Sequence, residues 1–412
     1  MRTMYSCRFC GTALAQSFCD LGMSPLSNAY VSAEGLQRME SFYPLHAYVC
    51  GECFLVQLPE HESPQHIFSD YAYFSSYSDS WLAHSKQYAE DMTARFGLTP
   101  HSQVVEIASN DGYLLQYFRE KNIPVLGIEP ATNVAEVARA KGIATRMEFF
   151  GVSTASRLAQ EGLCADLLLG NNVLAHVPEL NDFVAGLKVA LKPGGVITME
   201  FPHLLRLIQE NQFDTIYHEH FSYFSFTTVE NVFRRHGIVL FDVDELLTHG
   251  GSLRIYGRHV EDGIGAEQPA PAELKAREAM AGLTDLSTYA AFAEKVRETK
   301  RALLEFLIAA KREGKHIVGY GAPAKGNTLL NYCGVRGDFL DYTVDRSPHK
   351  QGQYLPGTHI PIYAPEKVRE TRPDYLLILP WNLKDEVMGQ MAHVREWGAK
   401  FVVPIPRVEV LA

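Results

Sequence analysis

Short apolar runs alternate with amphipathic segments through the middle of the chain, and this alternation limits the fold more than any other feature of the sequence. The apolar runs lie at 103–107, 124–129, 165–170 and 196–201, and stretches of helical periodicity separate them. Strands that alternate with helices form parallel sheets with helices on both faces. We therefore predict an α/β protein whose central part is a doubly wound sheet.

Two further runs, at 238–243 and 252–256, predict a hairpin that closes one edge of this sheet. A long helix is then predicted at 289–312. After it the alternation resumes, and its apolar runs predict a second, Rossmann-like sheet. The runs of this second sheet lie at 316–320, 339–345 and 375–379.

The chain has 412 residues, more than one compact core usually holds. We divide it into an N-terminal module at 1–65, a central domain at 66–275 and a C-terminal domain at 276–412. The formal net charge of −10 argues against a nucleic-acid surface. Neither an apolar run long enough to span a bilayer nor a secretory signal is evident, so we expect a cytoplasmic protein. We also expect it to be a monomer.

Four of the seven cysteines form two C-x-x-C pairs near the N-terminus, Cys7 with Cys10 and Cys50 with Cys53. In a chain expected in a reducing compartment, this paired spacing indicates a metal rather than disulfides. Four thiolates complete a tetrahedral zinc site with no open position, which makes the zinc structural. The alternative is four unrelated free thiols. We expect a small module that needs its metal to fold.

The first strand of the central sheet runs into a tight polar turn at 108–112, and a helix follows. The next strand ends in Glu129, whose carboxylate could accept both ribose hydroxyls of a cofactor. This order favours S-adenosylmethionine, and NAD is disfavoured because the turn offers no phosphate cradle. A purely structural turn is the alternative. The candidate cofactor residues are Glu106, Ala108, Ser109, Asn110, Asp111, Gly112, Glu129, Pro130, Asn133 and Asn171.

Titratable side chains are dense at 217–223, shortly after the strand at 196–201. Histidine titrates in the range useful for a general base, and a carbon beside a ketone can lose its proton to such a base. We therefore predict that His220 is the base of a carbon methylation. The alternatives are a metal site at His218, Glu219 and His220, or a polar loop without a catalytic role. The orienting groups expected at the same mouth are Tyr217, Glu219, Asn172 and His176.

Two other segments carry candidate ligand contacts. The aromatic run at 70–77 contains Tyr71, and it could pack against the sheet or form a lid over a sugar. Gly319 and Gly321 follow a predicted strand as in a dinucleotide turn, and Lys325 could pair with a diphosphate at the helix start. The alternative is a duplicated sheet that only supports the central domain.

Together these motifs resemble those of the three-domain sugar C-methyltransferases of deoxysugar biosynthesis. The resemblance runs nearly from end to end of the chain. It rests on the paired cysteines, the turn at 109–112, Asn172 with His176, the Tyr217-x-Glu219-His220 motif, and the segments at 249–254 and 319–326. Ala108 departs from the glycine usual at its position.

The resemblance implies a structural zinc, a class I methyltransferase sheet that binds S-adenosylmethionine, and a C-terminal Rossmann-like domain that binds a nucleotide-diphospho-4-keto-sugar. The nucleotide could be dTDP, GDP or CDP, and the methylated carbon is expected to be C-3. It further implies that His220 is the base and that Tyr71 belongs to the sugar pocket. The additional substrate contacts that we expect are His249, Arg254, Lys325, Asn327 and Arg346.

Two other functions stay open at this point. The C-terminal domain could make the chain an NAD-dependent nucleotide-sugar oxidoreductase. Alternatively, the chain could be a zinc-dependent interaction protein with a catalytically silent methyltransferase fold.

Overall fold

A computed structural model describes residues 5–68, 75–263 and 268–412. The strands in these ranges are β1 (Gln16–Ser24), β2 (Tyr43–Val49), β3 (Val56–Gln57), β4 (Val104–Ile107), β5 (Val125–Ile128), β6 (Thr145–Arg146), β7 (Ala165–Asn171), β8 (Leu191–Pro202), β9 (Ser222–Tyr223), β10 (Ile238–Leu246), β11 (Ser252–His259), β12 (Ile317–Tyr320), β13 (Thr343–Val344), β14 (Ile362–Tyr363), β15 (Tyr375–Ile378), β16 (Lys400–Val403) and β17 (Glu409–Leu411). The α-helices are α1 (Pro64–Phe68), α2 (Asp79–Phe96), α3 (Leu115–Glu120), α4 (Thr132–Ala140), α5 (Val152–Gln160), α6 (Leu180–Ala190), α7 (Leu204–Gln209), α8 (Phe226–Arg235), α9 (Pro269–Met280), α10 (Leu286–Arg312), α11 (Ala324–Cys333), α12 (Lys367–Thr371) and α13 (Lys384–Gln390).

The chain folds into two compact units, and each unit is assembled from separate stretches of sequence. The first unit comprises Met1–Leu14, Cys50–Leu204 and Phe221–Thr284. The second unit comprises Ala15–Val49, Leu205–His220 and Asp285–Ala412. The backbone therefore passes from one unit to the other several times.

The first unit contains a seven-stranded sheet in the order β10-β11-β8-β7-β4-β5-β6. Neighbouring strands from β8 to β6 run parallel, whereas β11 pairs antiparallel with both β8 and β10. The predicted doubly wound sheet with a closing hairpin is thus confirmed. Because β4, β5 and β7 are parallel, their carboxyl ends lie at one edge of the sheet, where ligands bind in folds of this kind.

Burial explains why three of the four residues of β4 are apolar. All four of its residues are buried, as expected for a parallel strand with helices on both faces. One of those faces packs against α2 and α3. The buried cluster on this face includes Tyr88, Met92, Leu114, Phe118, Leu167 and Leu169.

The residues at 193–195, just before the apolar run at 196–201, form a bulge inside a longer strand. Strand β8 begins at Leu191, and its pairing with β7 jumps from Ala165–Leu191 to Leu167–Val196. The extra residues loop out where Gly194 adopts a φ of 73°. A positive φ at this point suits glycine, so the Pro-Gly-Gly sequence bends the strand instead of ending it.

The second unit contains a six-stranded sheet in the order β14-β13-β12-β15-β16-β17. Only β17 pairs antiparallel to its neighbour, so the predicted Rossmann-like arrangement is confirmed. The strand predicted at 339–345 shrinks to Thr343–Val344. The reason is a turn in which the amides of Phe339 and Leu340 both donate to the carbonyl of Arg336.

The hairpin of β1 and β2 belongs to this second unit. Phe18 on β1 is fully buried and stacks on Phe292 of α10, with ring centroids 4.7 Å apart. Tyr289 meets the same ring edge-on at 6.1 Å. The long helix α10 therefore buries its aromatic face against a hairpin that lies more than two hundred residues earlier in the sequence. In the three described ranges, no helix combines the length and apolarity needed to cross a membrane.

A buried carboxylate ties three elements of the first unit together. Glu278 on α9 accepts hydrogen bonds from the amides of Phe226 and Thr227, at 2.6 and 2.9 Å, at the start of α8. It also bonds the ring of His203 at 2.7 Å, just after β8. Both Glu278 and His203 are about 1% exposed. The carboxylate thus satisfies amides that a helix start leaves without partners.

We expect Glu278→Ala to lower the free energy of unfolding by about 3 kcal/mol or more. The substitution leaves two buried backbone amides and the His203 imidazole without their hydrogen-bond partner. Glu273→Ala is the matched control, since Glu273 lies on the same helix and is exposed. Thermal denaturation of the two variants measures the difference. Equal melting temperatures for both variants would contradict the assigned role.

Candidate active site

The two cysteine pairs form two knuckles of the same backbone geometry. In the first, the amide of Gly11 donates to the carbonyl of Cys7 at 2.9 Å, and in the second Phe54 donates to Cys50 at 3.1 Å. Gly11 and Phe54 both have positive φ values, of 80° and 58°. The backbone therefore turns back after each pair and presents two sulfurs on the same side.

The four cysteine sulfurs converge on one point. Their ligand atoms lie within 4.8 Å of one another, with 3.6 Å between Cys7 and Cys53 and 3.5 Å between Cys10 and Cys50. Sulfurs around a tetrahedral zinc ion lie about 3.8 Å apart, so the set fits this ion. The side-chain amide of Gln57 donates from Nε2 to the Cys7 sulfur at 3.2 Å, which suits a thiolate ligand. In the part of the chain that the structure describes, this is the one cluster of three or more metal-ligating side chains.

An arginine inside the first knuckle connects it to two loops of the first unit. The Arg8 guanidinium donates to the carbonyls of Pro178, at 3.2 Å, and Leu58. It also lies over the ring of Phe221, 5.4 Å from the centroid. Phe221 in turn donates its amide to the carbonyl of Ala175 at 2.7 Å. The zinc module thus supports the backbone that follows β7 and the residue next to His220.

Two of the remaining cysteines are buried in apolar surroundings. Burial raises the pKa of Cys19 and of Cys333 to about 12, so both stay protonated and act as small apolar residues.

The turn after β4 holds three residues in the left-handed region. Ala108, Asn110 and Gly112 have φ values of 55°, 49° and 76°. Ala108 therefore adopts a conformation that glycine adopts more easily, which accounts for the glycine usual at its position. The turn also needs Gly127 on β5, since a Cβ there would lie 2.3 Å from the hydroxyl of Ser109.

Glu129 holds this turn from the end of the neighbouring strand. Its carboxylate accepts hydrogen bonds from the amides of Asn110 and Ala131, each at 2.9 Å. Burial raises the pKa of Glu129, although the two amides oppose that effect. Lys141 bonds the carbonyl and carboxylate of Asp111 at 3.0 and 3.1 Å, which fixes the far side of the turn.

Several buried polar atoms at this edge of the sheet accept or donate no hydrogen bond among the described residues. They are the hydroxyl of Ser109, one carboxylate oxygen of Asp111, the amide nitrogen of Asn171 and the amide oxygen of Asn172. Buried polar atoms without partners are rare in folded proteins and mark a place where a polar ligand binds. The set fits the hydroxyls and amino acid groups of S-adenosylmethionine.

Three other predicted cofactor residues differ in how deeply they are buried. Glu106 is fully buried within β4, and burial raises its pKa well above the usual range. Pro130 and Asn133 are half-buried beside the start of α4. Glu106 thus lies inside the sheet, whereas Pro130 and Asn133 lie at its ligand-binding edge.

Arg254 and Glu200 form a buried ion pair at the carboxyl end of β8. Their Nη2–Oε2 distance is 2.9 Å, and His84 approaches the same oxygen at 3.0 Å. Thr248 donates to the other oxygen at 2.8 Å. Burial alone would raise the pKa of Glu200, but the contacts with His84 and Arg254 lower it to about 2. The guanidinium predicted to contact substrate is thus engaged with Glu200 in this structure.

Trp81 and His84 on α2 belong to this group, and neither was predicted from the sequence. Their rings stack at 4.9 Å, and His249 meets Trp81 edge-on at 5.1 Å. His249 has a φ of 55°, an uncommon conformation for a residue with a side chain. The three-residue spacing on one helix face could have indicated the pair, but that spacing is equally typical of packing.

Asn172 and His176 follow β7, as the sequence predicted. Asn172 has a φ of 53°, and its amide donates to the carbonyl of Glu200 at 2.7 Å. His176 ends a short 3-10 turn. Tyr71, the remaining residue proposed to line the pocket, lies outside the described residues.

The ring of His220 is fixed at both nitrogens within the second unit. Nδ1 lies 2.9 Å from the carbonyl oxygen of Thr215, and Nε2 lies 2.8 Å from the hydroxyl of Tyr217. A carbonyl can only accept, so Nδ1 carries the proton of the neutral ring. The Tyr217 hydroxyl then donates to the lone pair of Nε2. His218 instead approaches the carbonyl of Pro44 at 3.2 Å, away from any metal cluster of the described residues.

Glu219 has a partner that the sequence analysis did not name. Asn28 donates its side-chain amide to the Glu219 carboxylate at 2.6 Å. Tyr30, two residues on, donates to the carbonyl of Ala322 at 2.6 Å. The loop between β1 and β2 thus reaches two of the predicted substrate segments of the second unit.

The remaining predicted substrate contacts lie in the second unit and differ in accessibility. Lys325 donates to the side chain of Asn382 at 2.8 Å, and burial lowers its pKa. Asn327 is buried and donates to the carbonyl of Ser27 at 2.9 Å. Arg346 is exposed, with Glu386 3.9 Å away.

Comparison with known proteins matches three family descriptions along the chain. They are a putative zinc binding domain at 7–68, a methyltransferase domain at 81–243 and a C-methyltransferase C-terminal domain at 247–406. The C-methyltransferase NovU of Streptomyces niveus is 34% identical over all of this chain and 98% of its own length. The chain belongs to this C-methyltransferase family.

Two more distant similarities each cover less than half of this C-methyltransferase. A ubiquinone biosynthesis O-methyltransferase of Chelativorans sp. (strain BNC1) is 25% identical over 26% of the chain and 46% of its own length. A putative S-adenosylmethionine dependent methyltransferase from Listeria monocytogenes is 14% identical over 43% of the chain and 99% of its own, with a TM-score of 0.34. The family descriptions, the NovU relative and the four-cysteine cluster identify this chain as an S-adenosylmethionine-dependent C-methyltransferase with a structural zinc site.

Removal of zinc from this C-methyltransferase should destabilise the first unit. A strong chelator is expected to lower the melting temperature by several degrees, because the four clustered thiolates then repel one another and the Arg8 contacts lose their support. Metal analysis should find one zinc per chain before treatment and recovery on adding zinc back. An unchanged melting temperature after complete zinc loss would contradict a structural role.

Glu129→Ala should weaken S-adenosylmethionine binding by about tenfold or more, because it removes a charged acceptor and releases the turn at Asn110. Glu136→Ala is the matched control, since this exposed residue lies on the adjacent α4. Isothermal titration calorimetry measures both affinities. Equal binding by the two variants would contradict the assignment of Glu129.

Proposed function

We propose that the enzyme transfers a methyl group from S-adenosylmethionine to C-3 of a nucleotide-diphospho-4-keto-deoxysugar, with His220 as the general base. Membership of a C-methyltransferase family supports a carbon acceptor. Carbon attacks a methyl group only after losing a proton, so the active site needs a base and an acidic C–H bond. A ketone at C-4 supplies that acidity at the neighbouring C-3.

The observation that carries this proposal is the hydrogen bonding of the His220 ring. With Nδ1–H held by the Thr215 carbonyl, the basic lone pair is on Nε2. Because the ring is held in a single tautomer, it need not move its proton or rotate before Nε2 accepts a proton. In this structure the Tyr217 hydroxyl bonds Nε2, and the substrate C–H group would take its place there.

The proposed reaction has two steps, a deprotonation of C-3 and a methyl transfer to the same carbon. His220 Nε2 takes the proton from C-3, and the electron pair of the broken C–H bond moves into the enolate. The C-3 carbon then forms a bond to the methyl group, whose bond to sulfur breaks. S-adenosylmethionine supplies that methyl group on a positively charged sulfur. His220 holds the proton, as the charged imidazolium, until it passes to solvent.

Other predicted residues have supporting roles in this proposal. A phenol or amide can stabilise the charge that develops on the enolate oxygen, and Tyr217 and Asn172 are suited to this. Glu219 is oriented by Asn28 and would accept a hydrogen bond from a sugar hydroxyl. His176 and Tyr71 complete the proposed sugar pocket. We assign the nucleotide to the C-terminal segment at 276–412, where the proposed contacts are Lys325, Asn327 and Arg346. His249 and Arg254 remain candidate substrate contacts from the central segment.

Packing explains the glycines of the C-terminal loop better than a dinucleotide does. A Cβ at Gly321 would lie 2.6 Å from Pro380, and one at Gly319 would lie 2.7 Å from Thr343. The Ala322 amide, which a phosphate would need, donates to the Asp345 carboxylate at 2.8 Å. Because this amide is already engaged, the loop lacks the backbone donors of a dinucleotide site, which favours methyl transfer over the NAD-dependent alternative.

The substrate assignment includes the nucleotide, which we expect to be dTDP, GDP or CDP. Incubation with a panel of keto-sugars carrying each nucleotide, followed by mass spectrometry, identifies the acceptor. We further propose that the enzyme acts as a cytoplasmic monomer. The rival interpretation as a silent zinc-dependent interaction protein predicts no methylated product with any member of the panel.

His220→Asn should slow methyl transfer by about 10²–10⁴-fold while leaving S-adenosylmethionine affinity unchanged, because it removes only the base. In deuterated water the wild-type enzyme should also exchange the proton beside the ketone, and the variant should not. His316→Asn, an exposed histidine of the same unit, is the control. A His220→Asn variant with wild-type turnover would overturn the assignment of the base.

A further inference from the structure

Asp214 is a fully buried carboxylate that the proposed reaction does not use. It lies in the middle of the 3-10 turn Phe213–Thr215, with no exposed surface. One of its oxygens accepts a hydrogen bond from the indole N–H of Trp381 at 2.7 Å. Burying an ionisable group at no exposure is costly, so its position in the second unit requires an explanation.

Trp381 is itself held in place from the other side. The ammonium of Lys325 lies over the indole ring, 4.6 Å from its centroid, and donates to the side chain of the next residue, Asn382, at 2.8 Å. Trp381 is only 8% exposed. A buried indole with its N–H bonded and a cation on its face has little freedom to move.

The turn that contains Asp214 also supplies the acceptor for His220. The carbonyl of Thr215, the residue directly after Asp214, receives the Nδ1–H of His220 at 2.9 Å. Thr215 is fixed within the turn, because its amide and its hydroxyl both donate to the carbonyl of Gln212, at 3.1 and 2.7 Å. On the opposite side, Phe213 packs edge-on against Tyr332 at 5.5 Å.

We propose that Asp214 is a positioning residue, which by accepting the Trp381 indole N–H fixes the turn whose Thr215 carbonyl sets the tautomer and direction of the His220 ring. This inference rests on the proposed function only in treating His220 as the base. The connection runs through one covalent neighbour and two hydrogen bonds. A displacement of the turn would turn the Thr215 carbonyl away from Nδ1, and the ring could then place its proton on either nitrogen.

The role needs an oxygen acceptor more than it needs a negative charge. Burial raises the pKa of Asp214 to about 7, while the nearby Lys325 ammonium lowers it. An asparagine at this position keeps an oxygen that can accept from the indole. Alanine removes the acceptor, and Trp381→Phe removes the donor while keeping an aromatic ring under Lys325. The three variants therefore separate geometry from charge.

The test compares Asp214→Ala, Trp381→Phe and Asp214→Asn in the full-length, zinc-loaded enzyme. Trp397→Phe is the matched control, since its indole N–H donates to the carbonyl of Pro373 at 3.0 Å within the same unit. Nitrogen NMR of ¹⁵N-histidine-labelled protein reports the His220 tautomer, with the signal assigned by its loss in His220→Asn. Steady-state kinetics with the keto-sugar give kcat and KM separately.

We expect Asp214→Ala and Trp381→Phe to shift His220 toward a mixture of tautomers and to lower kcat by about tenfold to a hundredfold, with KM for S-adenosylmethionine unchanged. Asp214→Asn and Trp397→Phe should stay within about threefold of wild type in kcat and keep the Nδ1–H tautomer. Should Asp214→Ala fail to fold, Trp381→Phe against Trp397→Phe decides the question.

An unchanged His220 tautomer in Trp381→Phe would overturn the proposal. Loss of kcat in Asp214→Asn equal to that in Asp214→Ala would also overturn it, because charge would then be the requirement. Failure of the proposed function looks different. In that case His220→Asn keeps its turnover, while the NMR comparison still reports whether Asp214 and Trp381 hold the ring.

Discussion

Two strand-to-helix connections of the central sheet share one acceptor, and the ligand-binding edge depends on it. Glu129 receives the amide of Asn110 from the turn after β4 and the amide of Ala131 from the turn after β5. The first of these turns contains three residues with positive φ, which a chain adopts only when neighbours hold it there. Parallel pairing of β4 with β5 brings the carboxylate within reach. The geometry of the sheet therefore prepares the turn before any ligand arrives.

The zinc module acts in the same way on the loops beside it. A small cysteine-rich segment cannot bury enough apolar surface to fold alone, so the metal supplies the cross-link. Its fold then delivers the Arg8 guanidinium to the carbonyls of Leu58 and Pro178 and to the ring of Phe221. A structural ion in this enzyme thus contributes to the placement of backbone that is distant from it in sequence.

Local signals made much of this molecule predictable. The paired cysteines, the turn after β4 and Glu129 could be found because each is a short pattern tied to one geometry. The Tyr217–His220 contact was equally accessible, since the two residues are three apart. Other contacts had no local signal. Asn28 reaches Glu219 across 191 residues, and Trp381 reaches Asp214 across 167, so only the folded chain brings them together. The bulge in β8 could not be predicted from hydrophobic periodicity, because the residues at 193–195 have the composition of a turn although they lie within the strand.

The repeated passage of the backbone between the two compact units has a consequence for recombination within this family. The hairpin of β1 and β2 lies near the amino terminus, yet its Phe18 ring is stacked on Phe292 of α10. A crossover that exchanged only the first sixty-odd residues between two homologues would pair a hairpin from one parent with a helix from the other. A hybrid that keeps this contact within one parent would inherit Ala15–Val49 together with Asp285–Ala412. Packing contacts, rather than distance along the sequence, thus define which segments of this chain form a unit.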